Sequence, residues 1–139
     1  MSKLGRPSVA DIKVDDLPTM RDDRGCLVVA EFGAHVPFQV VRVFYVHGVP
    51  ANTIRGEHAH RHGRQYMICQ TGRVLVDAND GTLTRRIELS PGQAMLMECG
   101  IFFRETYVDR DTVLLILCDS PFDKSDYIRT MEEFMRSYS

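Results

Sequence analysis

Short apolar runs separated by turn signals fill most of the chain. Cys26–Phe32 is one run, and Gln39–His47, dense in Val and aromatic residues, is the strongest. Gln65–Gln70, Arg73–Ala78, Thr82–Leu89, Gln93–Glu98 and Thr112–Cys118 follow. Gly33, Pro37, Gly48-Val49-Pro50, Gly72, Asn79-Asp80-Gly81, Pro91-Gly92 and Gly100 punctuate them. Asn-Asp-Gly between two such runs predicts a hairpin turn, because these residues tolerate positive φ. Strands at this spacing predict an all-β sandwich or barrel. Only the C-terminus reads as a helix. Ser125 or Asp126 is its expected cap, and Tyr127, Ile128, Met131, Phe134 and Met135 fall on one face. Met1–Val9 is expected to be a loose tail.

At 139 residues the chain is expected to form one domain, residues 1–139, with no need of a disulfide or metal staple. A formal net charge of −2 argues against nucleic-acid and membrane-surface partners, which favour a basic excess. No apolar run reaches the roughly 18 residues of a membrane span, and the N-terminus lacks a signal-peptide core. A cytoplasmic protein is expected. Cys26, Cys69, Cys99 and Cys118 form no C-x-x-C pair and read as reduced core thiols. Met95, Leu96 and Met97 read as strand packing, Arg85-Arg86 as a solvated charge pair, and His35 and His47 as surface residues.

The chemistry concentrates between Arg55 and Gly72, where R-G-E-H-A-H-R-H-G-R-Q opens the segment. On a strand, the two-residue spacing of His58 and His60 points both imidazoles to one face. His62 shares their parity, but Gly63 suggests that the strand ends there. Three readings compete. The histidines are ordinary surface residues, they bind a metal, or they transfer protons without one. A metal-binding H-x-H needs a later carboxylate and a further His. Gln65 stands at the carboxylate spacing and no histidine follows His62, which makes a poor donor set for a divalent ion. An imidazole that titrates near neutrality suits proton abstraction beside a carbonyl. A neighbouring Arg suits an oxyanion or phosphate.

The chain resembles the sugar 3,4-ketoisomerases that act on dTDP-4-keto-6-deoxyglucose, within the cupin superfamily. Matching pieces run from Asp23-Arg24-Gly25 and Leu27 through Pro37-Phe38 and Arg42-Val43-Phe44-Tyr45. They continue through Arg55-Gly56-Glu57-His58-Ala59-His60, Gln65 and Gly72 to Asp126-Tyr127-Ile128-Arg129. The resemblance implies a cupin-type jelly-roll barrel with the short C-terminal helix, no metal or other cofactor, and a homodimer with exchanged strands. It implies that a carbonyl moves from C4 to C3 of a dTDP-linked 4-keto-6-deoxyhexose through an enediol-like intermediate. His58 and His60 become the acid/base candidates. Arg24 and Arg55 are candidates for diphosphate or sugar oxygens, and Gln65 lines the same face. The family's late barrel-mouth strand carries an aromatic followed by His or Arg. Here Phe102 and Phe103 occupy those places and Arg104 comes one later, so either Arg104 takes the polar role or the site lacks that group. Phe44 stands where the family commonly has Tyr. Phe44, Phe103 and Arg104 therefore join the substrate-binding candidates. The alternatives are a dTDP-sugar 3,5-epimerase, disfavoured because no Tyr partner can be placed from sequence, and a non-catalytic nucleotide-sugar-binding cupin.

Overall fold

The computed structural model describes residues 6–137. Among these residues run twelve strands and one short α-helix. They are β1 (Val14–Asp16), β2 (Thr19–Asp22), β3 (Gly25–Val28), β4 (Arg42–Val46), β5 (Thr53–His60) and β6 (Gln65–Thr71). They continue with β7 (Val74–Asn79), β8 (Thr84–Leu89), β9 (Gln93–Met97), β10 (Phe102–Tyr107), β11 (Val113–Cys118), β12 (Tyr127–Ile128) and the helix α1 (Met131–Arg136). One five-stranded sheet has the order β1-β9-β6-β11-β4 and the other β12-β5-β10-β7-β8, while β2 and β3 pair only with each other. Two antiparallel sheets packed face to face make a jelly roll.

Period-2 alternation of buried and less buried positions runs along β7 and β11. Their inward side chains, with Met67, Met95 and Met97 from one sheet and Ile87, Leu89, Phe103 and Tyr107 from the other, form the main core. A second cluster covers the outer face of the first sheet, where Leu17, Val36 and Phe38 pack on Tyr66, Ile68 and Ala94. A third seats Phe134 of α1 on Ala59 and Ile128, with Phe102 beside it.

Several expectations are corrected. The helix begins at Met131, where Thr130 Oγ1 accepts from the Glu133 N–H at 3.1 Å. Tyr127 and Ile128 share its apolar period but pair with His60 and Ala59 as a sheet edge. Ser125 and Asp126 lie in a 3-10 turn capped by Asp123. At the other end, Met1–Gly5 lie outside the described residues, but Val9 is buried and is no tail. Its N–H donates to Asp80 in the predicted Asn79-Asp80-Gly81 turn at 2.9 Å, and Arg85 donates to the Val9 and Ile12 carbonyls. Arg85 thus clamps the N-terminal segment, whereas Arg86 pairs with Asp77 on the surface. Cys69 and Cys118 are core thiols, Cys99 is half-buried and Cys26 is exposed. Cys26 is exposed because its run lies in the β2–β3 hairpin, every residue of which is exposed. Met95 and Met97 are buried as read; His47 is exposed and His35 half-buried.

Candidate active site

The site is built around a bulge in β5. On β10, Phe103 and Glu105 are two residues apart; their partners on β5, His58 and Arg55, are three apart. The extra residue falls at Gly56-Glu57. Plain alternation would send Arg55 and His58 to opposite faces; the bulge sets both opposite inward residues of β10, with Arg55 at the exposed rim. Gly56 is required there on two counts. Its φ is +94°, and a Cβ would lie 2.7 Å from a Glu105 carboxylate oxygen.

Beyond the bulge, His58 and His60 face inward together. Their Nε2 atoms are 3.2 Å apart, and His60 Nδ1 is 2.9 Å from Asp126 Oδ2. Asp126 also accepts from the His62 and Gly63 N–H groups. Burial alone would raise its pKa, but the hydrogen bonds from His60 and these amides outweigh it and hold the carboxyl below its ordinary value. An ionised carboxylate only accepts, so Nδ1 of His60 carries the proton. Neutral His60 then offers a bare Nε2, which accepts the Nε2–H of His58. The lone pair of His58 Nδ1 is left free to act as a base.

Burial lowers the His58 pKa to about 4, helped by the neighbouring His60 and by the Arg129 charge. Burial also lowers His60, against the Asp126 hydrogen bond and charge that pull it upward. Both rings are therefore neutral at pH 7, each with a single N–H. His60 is only 4% exposed, whereas His58 is more open, so His58 is the member of the pair a substrate can meet. Aromatic rings frame them. Phe103 lies 4.9 Å from His58, and Tyr127 lies 4.9 Å from His58 and 4.6 Å from His60, centroid to centroid. The Arg129 guanidinium sits 4.6 Å over Tyr127. From β4, Arg42 lies over Phe44 and over Phe122, which in turn packs on Tyr127.

The structure thus brings together His58, His60 and Phe103, while Arg55, one register step beyond on β5, is exposed beside Tyr45 and His47. Gln65 is buried and shares a small cleft with His60, Arg42 and Asp126. Phe44 packs against the core edge under Arg42. Two candidates lie elsewhere. Arg104 follows inward-facing Phe103, so it points out of the barrel and pairs with Asp77 of β7 at 3.5 Å. Its expected role at the barrel mouth is corrected, and among the described residues of β10 the inward positions are Phe103, Glu105 and Tyr107. Arg24 is 87% exposed at the tip of the β2–β3 hairpin, pairing with Asp22, and does not join the histidines of its own chain. Among the described residues no cluster of three or more His, Cys, Asp and Glu is arranged to hold a metal.

Sequence reasoning gave no site role to Asp126, Tyr127, Arg129, Arg42, Glu105 or Tyr107. Asp126, Tyr127 and Arg129 stand in the D-Y-I-R segment and Arg42 in R-V-F-Y, both already matched to the family. Glu105, alternating with Phe103 and Tyr107, was the visible sign of a carboxyl among inward aromatics.

A family profile described as FdtA: WxcM-like, C-terminal, matches residues 10–139. The chain belongs to this family. A TDP-4-oxo-6-deoxy-alpha-D-glucose-3,4-oxoisomerase of Aneurinibacillus thermoaerophilus is 30% identical over 125 residues, covering 89% of this chain and 90% of that protein. Among solved structures, the WlaRB TDP-quinovose 3,4-ketoisomerase of Campylobacter jejuni superposes with a TM-score of 0.84 at 29% identity, over 92% of this chain and 99% of that one. A dTDP-4-dehydrorhamnose 3,5-epimerase of Bacillus anthracis shares the fold at a TM-score of 0.75 and 17% identity, over 90% of this chain and 81% of its own. No helix among the described residues is long and apolar enough to cross a membrane.

Proposed function

We propose that the protein is a nucleotide-sugar 3,4-ketoisomerase that moves the carbonyl of a dTDP-linked 4-keto-6-deoxyhexose from C4 to C3, in the making of an unusual deoxy or amino sugar. The observation that carries this reading is the His58–His60–Asp126 chain, set in a protein whose 30%-identical relative bears that activity in its name. His58 Nδ1 takes the C3 proton, and the electron pair left behind forms the C3=C4 bond of an enediolate with the charge on O4. His58 then returns a proton to C4 while the O3 proton passes to O4, which leaves the ketone at C3 and a hydroxyl at C4. His60 does not meet the sugar. It orients His58 and, with Asp126, shares the added proton across the pair. Arg55 holds the diphosphate from the exposed rim. Phe44 lines the remaining wall, while Phe103, packed on His58, and Gln65 are as buried as His60 and back the site from behind.

The 3,5-epimerase reading gains a tyrosine from the structure, because Tyr127 packs on both histidines. The epimerase is nevertheless the more distant likeness, and the ketoisomerase reading stands first. Supplied with dTDP-4-keto-6-deoxyglucose, the protein is expected to give a product whose carbonyl is at C3 by NMR. Turnover is expected to survive exhaustive chelation. An unchanged sugar, or an epimer with its carbonyl still at C4, contradicts the reading. Turnover lost to chelation and restored by zinc or manganese contradicts its metal-free chemistry.

The working form in this reading is a homodimer in the cytoplasm. The β2–β3 hairpin projects with Met20 and Leu27 more than half exposed, and edge strand β4 exposes Val43 and Tyr45 to a similar degree. An exposed apolar edge invites pairing. Exchange of the hairpin across a two-fold covers both surfaces and takes Arg24 to the partner's site. Light scattering is expected to give twice the 15.9 kDa chain mass; a concentration-independent monomer contradicts the exchange.

A further inference from the structure

Glu105 has no part in the chemistry above, yet its surroundings are built around it. It lies on the inward face of β10, is only 7% exposed, and accepts the Tyr107 hydroxyl at 3.0 Å. Its other carboxylate oxygen occupies the space left by the missing side chain of Gly56. Its cross-strand partner on β5 is Arg55 and on β7 is Val76, which is apolar. Among the charges acting on it, the Arg55 guanidinium lowers its pKa, after burial and the Tyr107 hydrogen bond. Tyr107 is pushed upward by burial and by Glu105, and the thiol of Cys69, in the same core cluster, is itself raised by burial to about 11. Neither group supplies positive charge to the carboxyl.

We propose that Glu105 couples anion binding at Arg55 to proton uptake: its buried carboxyl, the cross-strand neighbour of Arg55 with no direct ion pair to it, takes up a proton when an anionic ligand engages that guanidinium. The inference rests on the nucleotide-sugar reading of the site. The physical basis is competition for one cation. In the free protein, burial raises the Glu105 pKa to about 7, while the Tyr107 hydrogen bond and the Arg55 charge restrain the rise. A diphosphate beside Arg55 adds negative charge close to the carboxyl and engages the guanidinium, so both effects push the proton on. By linkage, a ligand that promotes protonation binds less tightly as pH rises through the free value.

The test uses the full chain and dTDP-glucose, whose diphosphate is esterified at both ends and does not titrate near neutrality. Calorimetry in buffers of differing ionisation enthalpy measures both affinity and net proton uptake. Affinity is expected to fall roughly three- to tenfold between pH 6 and pH 8.5, with uptake of about half a proton per site near pH 7.5. Glu105→Gln should flatten both, and Glu105→Asp, which keeps a carboxyl, should restore part of each. In wild-type protein labelled at the glutamate carboxyl carbons, the Glu105 titration should move upward on ligand addition, a readout needing no variant. Proton uptake that persists in Glu105→Gln, or a Glu105 titration that ligand leaves unmoved, overturns the inference while leaving the function intact. If dTDP-glucose does not bind at any pH, the nucleotide-sugar reading fails and this inference with it.

Discussion

Two polar clusters flank the bulge in β5, and burial acts on them in opposite senses. On one side, His58 and His60 lose their affinity for a proton; on the other, Glu105 gains it. The same penalty on burying charge therefore yields a neutral base and a proton-holding acid on one inward face. What separates them is the partner each is given. His60 has a carboxylate that receives three hydrogen bonds. Glu105 has a tyrosine hydroxyl and an arginine at a distance. The first arrangement fixes a tautomer; the second leaves a group that responds to charge arriving at the mouth.

Replacing the base should expose this difference most sharply. His58→Asn is expected to lower turnover about 10²–10⁴-fold while leaving dTDP affinity close to wild type. Steady-state kinetics beside calorimetry separates the two effects, and a comparable loss in affinity would place His58 in binding instead.

On the acid side the effect is one of stability. The folded pKa of Glu105, about 7, stands above its ordinary 4.5. A raised carboxyl favours the fold while protonated, so its contribution is full below about pH 4.5 and is lost as pH rises through 7. The wild type should therefore lose on the order of 3 kcal/mol between pH 4.5 and pH 8 that Glu105→Gln does not lose. Urea unfolding at the two pH values measures it. Parallel pH dependence in the two proteins would show that Glu105 is not the titrating group.

The smallest expected change is at the tautomer-setting carboxylate. Asp126→Asn keeps an acceptor for the loop amides but removes the charge that fixes His60, and should lower kcat roughly tenfold or more with little change in KM. The hydrogen-bonded imidazole N–H resonance of His60 should shift upfield in the same variant. Loss of activity with that resonance unmoved would assign Asp126 to the loop alone.

Much of this site was legible from local pattern. The two-residue spacing of His58 and His60 gives one face on any strand, and the alternation in Val74–Asn79 and Val113–Cys118 identifies core strands without knowledge of their partners. The bulge was not legible, because it exists only in the register of β5 against β10, more than forty residues away. Without it, Arg55 and His58 alternate to opposite faces. Arg104 shows the converse: beside two phenylalanines it looks placed for the mouth, and only the inward direction of Phe103 sends it outside. Tyr127 and Ile128 fit a helical period as well as a strand, and hydrogen bonds to β5 decide between them. Cys26–Phe32 reads as an ordinary strand run because nothing in its composition separates a projecting hairpin from a core strand.

The central claim is that His58 removes the C3 proton. Incubation of dTDP-4-keto-6-deoxyglucose with the protein in heavy water, read by mass spectrometry and NMR, tests it most directly. The account predicts deuterium entering the sugar ring at the isomerising carbons with wild-type protein, and wash-in at C3 at least a hundredfold slower with His58→Asn. Exchange at C3 as fast in His58→Asn as in the wild type would contradict it.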